Sequence, residues 1–294
     1  MGGMEAAFFA VLRAAIRFQM AEFHRTNYLS QDHSENRYVF LHYHIFKNAG
    51  TSVDSILREC FGEAFMSVDG PVPEFFINQT EVAVMTRNRA QVKALSSHQI
   101  RLPVPQERRI AYLPIIFLRR PELRMKSMWR FQRSRNDSHP ATLLAQQLEF
   151  PEWIEFNLRE RRKASMLNQQ ALLCSFQYDQ RTPVNHPDIL ARAIRNVRAL
   201  PFVGIVEEFE ASMKIYQRLY RSLVPEFEID QLPQLNRSSN EDLPMQEQTA
   251  SIEKELGSSL FAELSECMHL DLDLYQFCLD ALRSRQRDRH DETG

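Results

Sequence analysis

At 294 residues with 44% hydrophobic content, the chain has enough apolar material for one large domain or two small ones, which excludes a disordered or fibrous polypeptide. A formal charge of −2 gives no general attraction to nucleic acid or anionic membranes, so any anion site has to be assembled from local groups. The four cysteines, Cys60, Cys174, Cys267 and Cys278, have no C-x-x-C spacing and read as reduced core thiols rather than a disulfide framework.

The first apolar stretch, Met4 to Phe23, is interrupted by Arg13 and Arg17 and never reaches the ~20 uninterrupted residues that span a bilayer. It reads as an amphipathic helix that packs on the domain or lies on a partner or membrane surface. With the polar linker Ser30 to Asn36 it makes residues 1–36 an N-terminal extension, the one segment through which membrane association is expected. Tyr38 to Leu41 is an apolar, β-prone run that suits a strand buried on both faces. A polar turn and a helix from Val53 to Cys60 follow, then an irregular stretch from Pro71 to about Thr80. Gln91 to Ser97, Ala111 to Leu118 (interrupted by Pro114) and Pro201 to Val206 give further strands.

Helices are expected from Pro121, through Leu123, Met128, Trp129 and Phe131 with the basic cluster of Arg119 to Arg135 on the other faces, and over Pro140–Phe150, Pro151–Arg161, Asn168–Phe176, Pro187–Leu200 and Glu207–Leu223. A long polar connection from Pro225 to Pro244 leads to helices near Ile252–Cys267 and Leu270–Leu282, and residues 284–294 should fray. Alternating strands and helices predict an α/β fold. A single domain over 37–283 has a P-loop-like central parallel sheet flanked by helices, with a helical N-terminal extension and a helical C-terminal part.

The chemistry concentrates at strand ends. After Leu41 the chain reads His44-x-x-Lys47-x-x-Gly50-Thr51-Ser52. Gly50 permits close backbone approach, two hydroxyls follow, and the helix beginning there turns unpaired N–H groups and its positive dipole end toward an anion. The usual triphosphate loop has lysine directly after its last glycine, whereas Lys47 comes three residues before Gly50. A second motif reads Phe117-Leu118-Arg119-Arg120-Pro121-Glu122-Leu123-Arg124-Met125-Lys126-Ser127. There an arginine stands at a strand end and a serine follows eight residues later, within a mostly basic stretch. In a parallel sheet Lys47, His98 and Arg119 would gather at one rim. His42 and His44 alternate on the first strand, but no carboxylate or thiol companion is evident near them, so no metal site is expected.

The first motif resembles the 5′-phosphosulfate loop of the sulfotransferases, particularly the carbohydrate and bacterial type, typically HIPKTGGTS, with Phe46 where that family usually has proline. The second is similar to that family's 3′-phosphate segment, FLR(D/N)PxxRxxS, with Arg120 in place of the acid or amide. VGIVEEFEASM and LDLDLYQF resemble later family segments, extending the likeness from Tyr38 to Phe277. The resemblance implies transfer of a sulfuryl group from 3′-phosphoadenosine-5′-phosphosulfate to an acceptor hydroxyl or amine, a carbohydrate by family analogy, without a metal. It implies donor contacts from Lys47, Asn48, Ala49, Gly50, Thr51, Ser52, Arg119 and Ser127, with Arg237 of Asn236-Arg237-Ser238-Ser239 approaching the nucleotide. Lys47 would stabilise the leaving phosphate, and His98, following Ser97 where relatives have Gly-His, is the candidate general base, with Glu74 second.

Asn168 and Gln169 resemble a family step near the acceptor cleft. Trp129, Trp153, Phe131 and Phe156 could stack on a base or sugar but suit core positions better. The competing readings are a P-loop kinase or nucleotide hydrolase and an inactive binding module of the same fold. A cytoplasmic protein, with a Golgi or membrane-associated one as alternative, is the expected setting.

Overall fold

The computed structural model describes residues 37–70, 76–160, 166–175, 187–233 and 243–292. The expected N-terminal helix, Glu74 and Arg237 lie outside them. In chain order the elements are β1 (Arg37–Tyr43), α1 (Gly50–Phe61), β2 (Phe65–Ser67), α2 (Gln79–Arg87), β3 (Ala94–Ser97), β4 (Ile110–Leu118) and α3 (Pro121–Ser134). There follow α4 (Pro140–Gln147), α5 (Phe150–Glu160), α6 (Gln169–Ser175), α7 (Pro187–Arg198), β5 (Gly204–Ile205) and α8 (Phe209–Tyr220). The chain closes with α9 (Met245–Leu256), α10 (Ser258–Cys267) and α11 (His269–Glu292).

The strands form one parallel sheet in the order β2-β3-β1-β4-β5 with helices around it, the expected α/β architecture. β1 is central because its side chains are apolar on both faces: Val39, Phe40 and Leu41 are fully buried, each contributing about 1.5–3 kcal/mol by leaving water. The chain passes from β1 to β2 and β3 on one side and to β4 and β5 on the other. The loops after β1 and β4 therefore diverge over a crevice at the carboxyl edge, where open α/β sheets place their ligands.

Pro114 does not interrupt β4. Its carbonyl accepts from Tyr220 Oη at 2.9 Å, on the side away from β1, so the N–H it lacks costs the β1 ladder nothing. The Tyr216 hydroxyl likewise takes the N–H groups of Ile116 (3.1 Å) and Gly204 (3.2 Å) and donates to Ile116 O (2.8 Å). Two tyrosines of α8 thereby satisfy the β4 edge, which β5 meets only at Phe117 and Leu118. A second core, with Leu123, Trp129, Phe150, Trp153, Ile252 and Leu264, joins α3, α5, α9 and α10. It claims both tryptophans; Phe156 is exposed.

Three expectations are corrected. The basic cluster does not lie on faces apart from the apolar ones: Arg124 is buried outright, and Lys126 is buried against the Trp129 and Phe150 rings and paired with Glu255. After the irregular stretch, as far as it is described, comes a helix that was not expected, α2, capped by Asn78 and Glu81 in a reciprocal box. The expected helix from Ile252 to Cys267 is two, starting at Met245 and broken at Gly257, whose φ of 77° ends one and admits the next. Residues from 284 continue α11 as far as Glu292 instead of fraying.

Candidate functional site

β1 ends at Tyr43 and the chain turns into α1 through a tight loop. The Asn48 N–H bonds Ile45 O at 3.1 Å, and Lys47 and Ala49 take left-handed φ values of 66° and 59°. Such backbone is costly for residues with a Cβ and persists only where the surroundings impose it. No side chain caps α1; the Ala49 carbonyl takes the N–H groups of Ser52 (3.0 Å) and Val53 (3.2 Å). The Gly50 and Thr51 N–H groups precede any intrahelical acceptor and lie at the positive end of the dipole. Gly50 is required by its neighbour: a Cβ there would lie 2.0 Å from His44 Cδ2.

Three buried side chains hold the loop. Arg124 donates from Nε to Phe46 O and from Nη1 to Met166 O, both at 3.1 Å, with Asp271 as its opposing charge. Burial lowers the Arg124 guanidinium to about 10, against the pull of that carboxylate. Asn48 donates to Phe117 O at 2.8 Å and to Gln170 Oε1 at 2.7 Å. Gln170 also receives the Arg119 N–H at 2.8 Å and gives its amide N–H to Arg119 O at 2.9 Å. Phe46 is thus fixed by its carbonyl and by an edge-on contact with Phe131, centroids 5.4 Å apart.

A cavity of about 320 Å³ opens above this loop, of a size suited to a small ligand. Lys47, Ala49, Gly50, Thr51, Ser52, His98, Arg119 and Ser127 all line it, so the two sequence motifs and the histidine meet in one place. Asn48 does not line it: its amide faces inward to β4 and Gln170. Asn168 is buried away from the cavity, bonded to Cys267 O and the Asp271 N–H, and it is Gln170 rather than Gln169 that reaches the loop. Lys47 Nζ lies 4.5 Å above the Phe131 ring, and Arg119 Nη1 donates to Lys47 O at 3.2 Å.

The rest of the lining includes Phe131, Val206, Phe209, Pro233 and Gln248, apolar except for that amide, and Glu207. Glu207 takes the Arg120 N–H (3.1 Å) and the Tyr275 hydroxyl (3.0 Å); burial pushes its carboxyl up while the Arg119 charge pulls it down.

Behind Lys47 stands a group that the sequence reading missed. His42 and His44 do have a carboxylate companion, Asp54, one turn into α1: its Oδ1 meets His42 Nδ1 at 2.7 Å and its Oδ2 meets His44 Nδ1 at 2.9 Å. These three could hold a metal ion. Hydrogen bonds already account for the arrangement, because each ring faces its own carboxylate oxygen and His42 Nδ1 also meets Ser96 Oγ at 2.9 Å. Burial presses His42 down to about 4, so its ring is neutral at pH 7, while the two imidazoles hold the Asp54 carboxyl far below the usual range despite its burial. His98, from the end of β3, stacks on His44 with centroids 3.9 Å apart and gives Nδ1 to Asp69 Oδ2 at 2.9 Å.

No model of a known protein family matches the chain. An uncharacterized protein of Archaeoglobus fulgidus is 30% identical over 253 residues, 83% of this chain and 97% of that protein. The chain belongs to that protein's family. Because nearly all of the relative is matched, the members share a whole fold rather than one motif. In this chain one cavity gathers the start of a helix, the Lys47 ammonium, the Arg119 guanidinium, the Ser127 hydroxyl and the His98 imidazole, which a carboxylate holds. No helix among the described residues is long and apolar enough to cross a membrane.

Proposed function

We propose that the protein transfers a sulfuryl group from 3′-phosphoadenosine-5′-phosphosulfate to an acceptor hydroxyl or amine, with a carbohydrate or glycoconjugate favoured by the sulfotransferase resemblance. The observation that carries this reading is that Lys47, Gly50, Thr51 and Ser52 of one motif and Arg119 and Ser127 of the other line one cavity. A nucleotide with charged groups at both 5′ and 3′ positions presents the matching pair of anions.

In this reading the acceptor oxygen attacks sulfur in line while the bond from sulfur to the bridging phosphate oxygen breaks. The charge developing on that oxygen falls to Lys47, the Gly50 and Thr51 N–H groups and the Thr51 and Ser52 hydroxyls, a preorganised cluster of the kind that usually dominates catalysis. His98 receives the acceptor proton, and Arg119 with Ser127 holds the 3′-phosphate.

Calorimetry with 3′-phosphoadenosine-5′-phosphate, with and without magnesium, tests the first half: binding should not need the metal. Labelled donor offered to pooled acceptors tests the second, and Lys47→Ala should lower turnover by about 10²–10³-fold. Magnesium-dependent binding of ATP, without affinity for the bisphosphate, would move the protein to the nucleotide kinases and hydrolases.

A further inference from the structure

Asp69 is an unexpected neighbour for an anion-binding cavity. A carboxylate beside such a site weakens the field that draws an anion in. Its contacts account for its place: Oδ1 takes the His98 backbone N–H at 2.8 Å and the Ser97 hydroxyl at 3.0 Å, while Oδ2 meets His98 Nδ1 at 2.9 Å. Three donors from two successive residues pin the carboxylate in one orientation. On its other side the His98 ring lies against His44, which Asp54 fixes in turn. A side chain 42% exposed, otherwise free to sample rotamers, is thus held at its Nδ1 and across its face.

We infer that Asp69 is a positioning residue, which fixes His98 in the tautomer with hydrogen on Nδ1 and so presents a bare Nε2 to the cavity, with the Asp54–His44 pair setting the plane of the ring. This rests on the reading of His98 as the base of the transfer. An imidazole that gives its Nδ1 hydrogen to a carboxylate has Nε2 as its basic atom, and the same carboxylate stabilises the imidazolium once the proton has arrived. As the acceptor oxygen bonds to sulfur, its proton passes to Nε2 and the phosphate leaves with the electron pair of the broken bond. Among the described residues, the charged and titratable groups about His98 include Asp69, His44 with His42 and Asp54 behind it, Arg101, which donates to the His98 carbonyl at 3.0 Å, and Lys47 and Arg119, which line the same cavity.

The test compares the full-length protein with Asp69→Asn, Asp69→Glu and the milder Ser97→Ala, which keeps the carboxylate but removes one of its braces. Imidazole nitrogen NMR, assigned with His98→Asn, should give the Nδ1–H tautomer for His98 in the wild type and lose it in Asp69→Asn. With an acceptor in hand, Asp69→Asn should lower kcat by about 10²–10⁴-fold and move the acid limb of the pH–rate profile to lower pH. Affinity for 3′-phosphoadenosine-5′-phosphate should hold, and Asp69→Glu should restore part of kcat. Ser97→Ala should lose a few-fold in kcat, and it carries the test if Asp69→Asn does not fold.

An Nε2–H tautomer in the wild type, or an Asp69→Asn enzyme with unchanged kcat and pH profile, overturns the inference and leaves the transfer reading standing. A wild type that binds no bisphosphate nucleotide overturns the transfer reading, while the tautomer measurement still decides what Asp69 does. Stoichiometric zinc uptake abolished by His42→Ala would make the imidazole cluster a metal centre and also overturn the inference.

Discussion

Gly50 shows how one position can serve both the fold and the site. The His44 ring occupies the space a Cβ would need, and it does so where α1 begins and the cavity opens. Gly50→Ala should cost about 1–3 kcal/mol through overpacking and lower the affinity for 3′-phosphoadenosine-5′-phosphate at least tenfold. Adding His44→Ala removes the obstacle, so the double variant should regain thermal stability relative to Gly50→Ala alone. Equal melting temperatures for the single and double variants would show that the ring is not what the glycine accommodates. The glycine was legible in the sequence as a site of close approach; the approaching group was not, because His44 and Asp54 meet only once β1 is packed on α1.

At the scale of elements, α3 supports more than its own fold. Its Arg124 reaches the Phe46 and Met166 carbonyls, joining the loop after β1 to the chain just before α6, with Asp271 of α11 as counter-charge. Arg124→Met leaves the stem but strands the buried carboxylate, so it should cost about 3–5 kcal/mol in urea unfolding. A loss below 1 kcal/mol would place the loop's support elsewhere.

The sequence set Arg124 apart from the apolar face because helical spacing sees only near neighbours, and its side chain's partners, Phe46, Met166 and Asp271, are remote in the chain. The same limit hid β2, three residues long, which exists because β3 is there to pair with. Helix α2 was different: Asn78-Gln79-Thr80-Glu81 carries a capping box, but the prolines before it drew attention to irregular structure. β1, its loop and the start of α3 could be read outright, since a doubly buried strand and a proline-started helix announce themselves locally.

For the whole molecule, the buried imidazole on the central strand makes stability sensitive to acid. His42 falls to about 4 when folded, whereas the unfolded chain binds this proton near 6.5. Between those values the unfolded state holds more protons, so stability declines as pH drops through that window, by about 3 kcal/mol in all. Asp54, held low by both imidazoles, adds a further loss below the ordinary carboxylate range. Urea melts at pH 7.5, 6, 5 and 4.5 should show the decline, and His42→Gln should flatten it; a slope that survives this change would locate the sensitive group elsewhere.

Gln170 has a consequence for how the cavity lining moves. One amide grips the loop through Asn48 and the strand end through Arg119, its Oε1 taking an N–H from each, so the two segments are clasped together by a buried side chain. Neither can shift alone without breaking a buried hydrogen bond that the other shares.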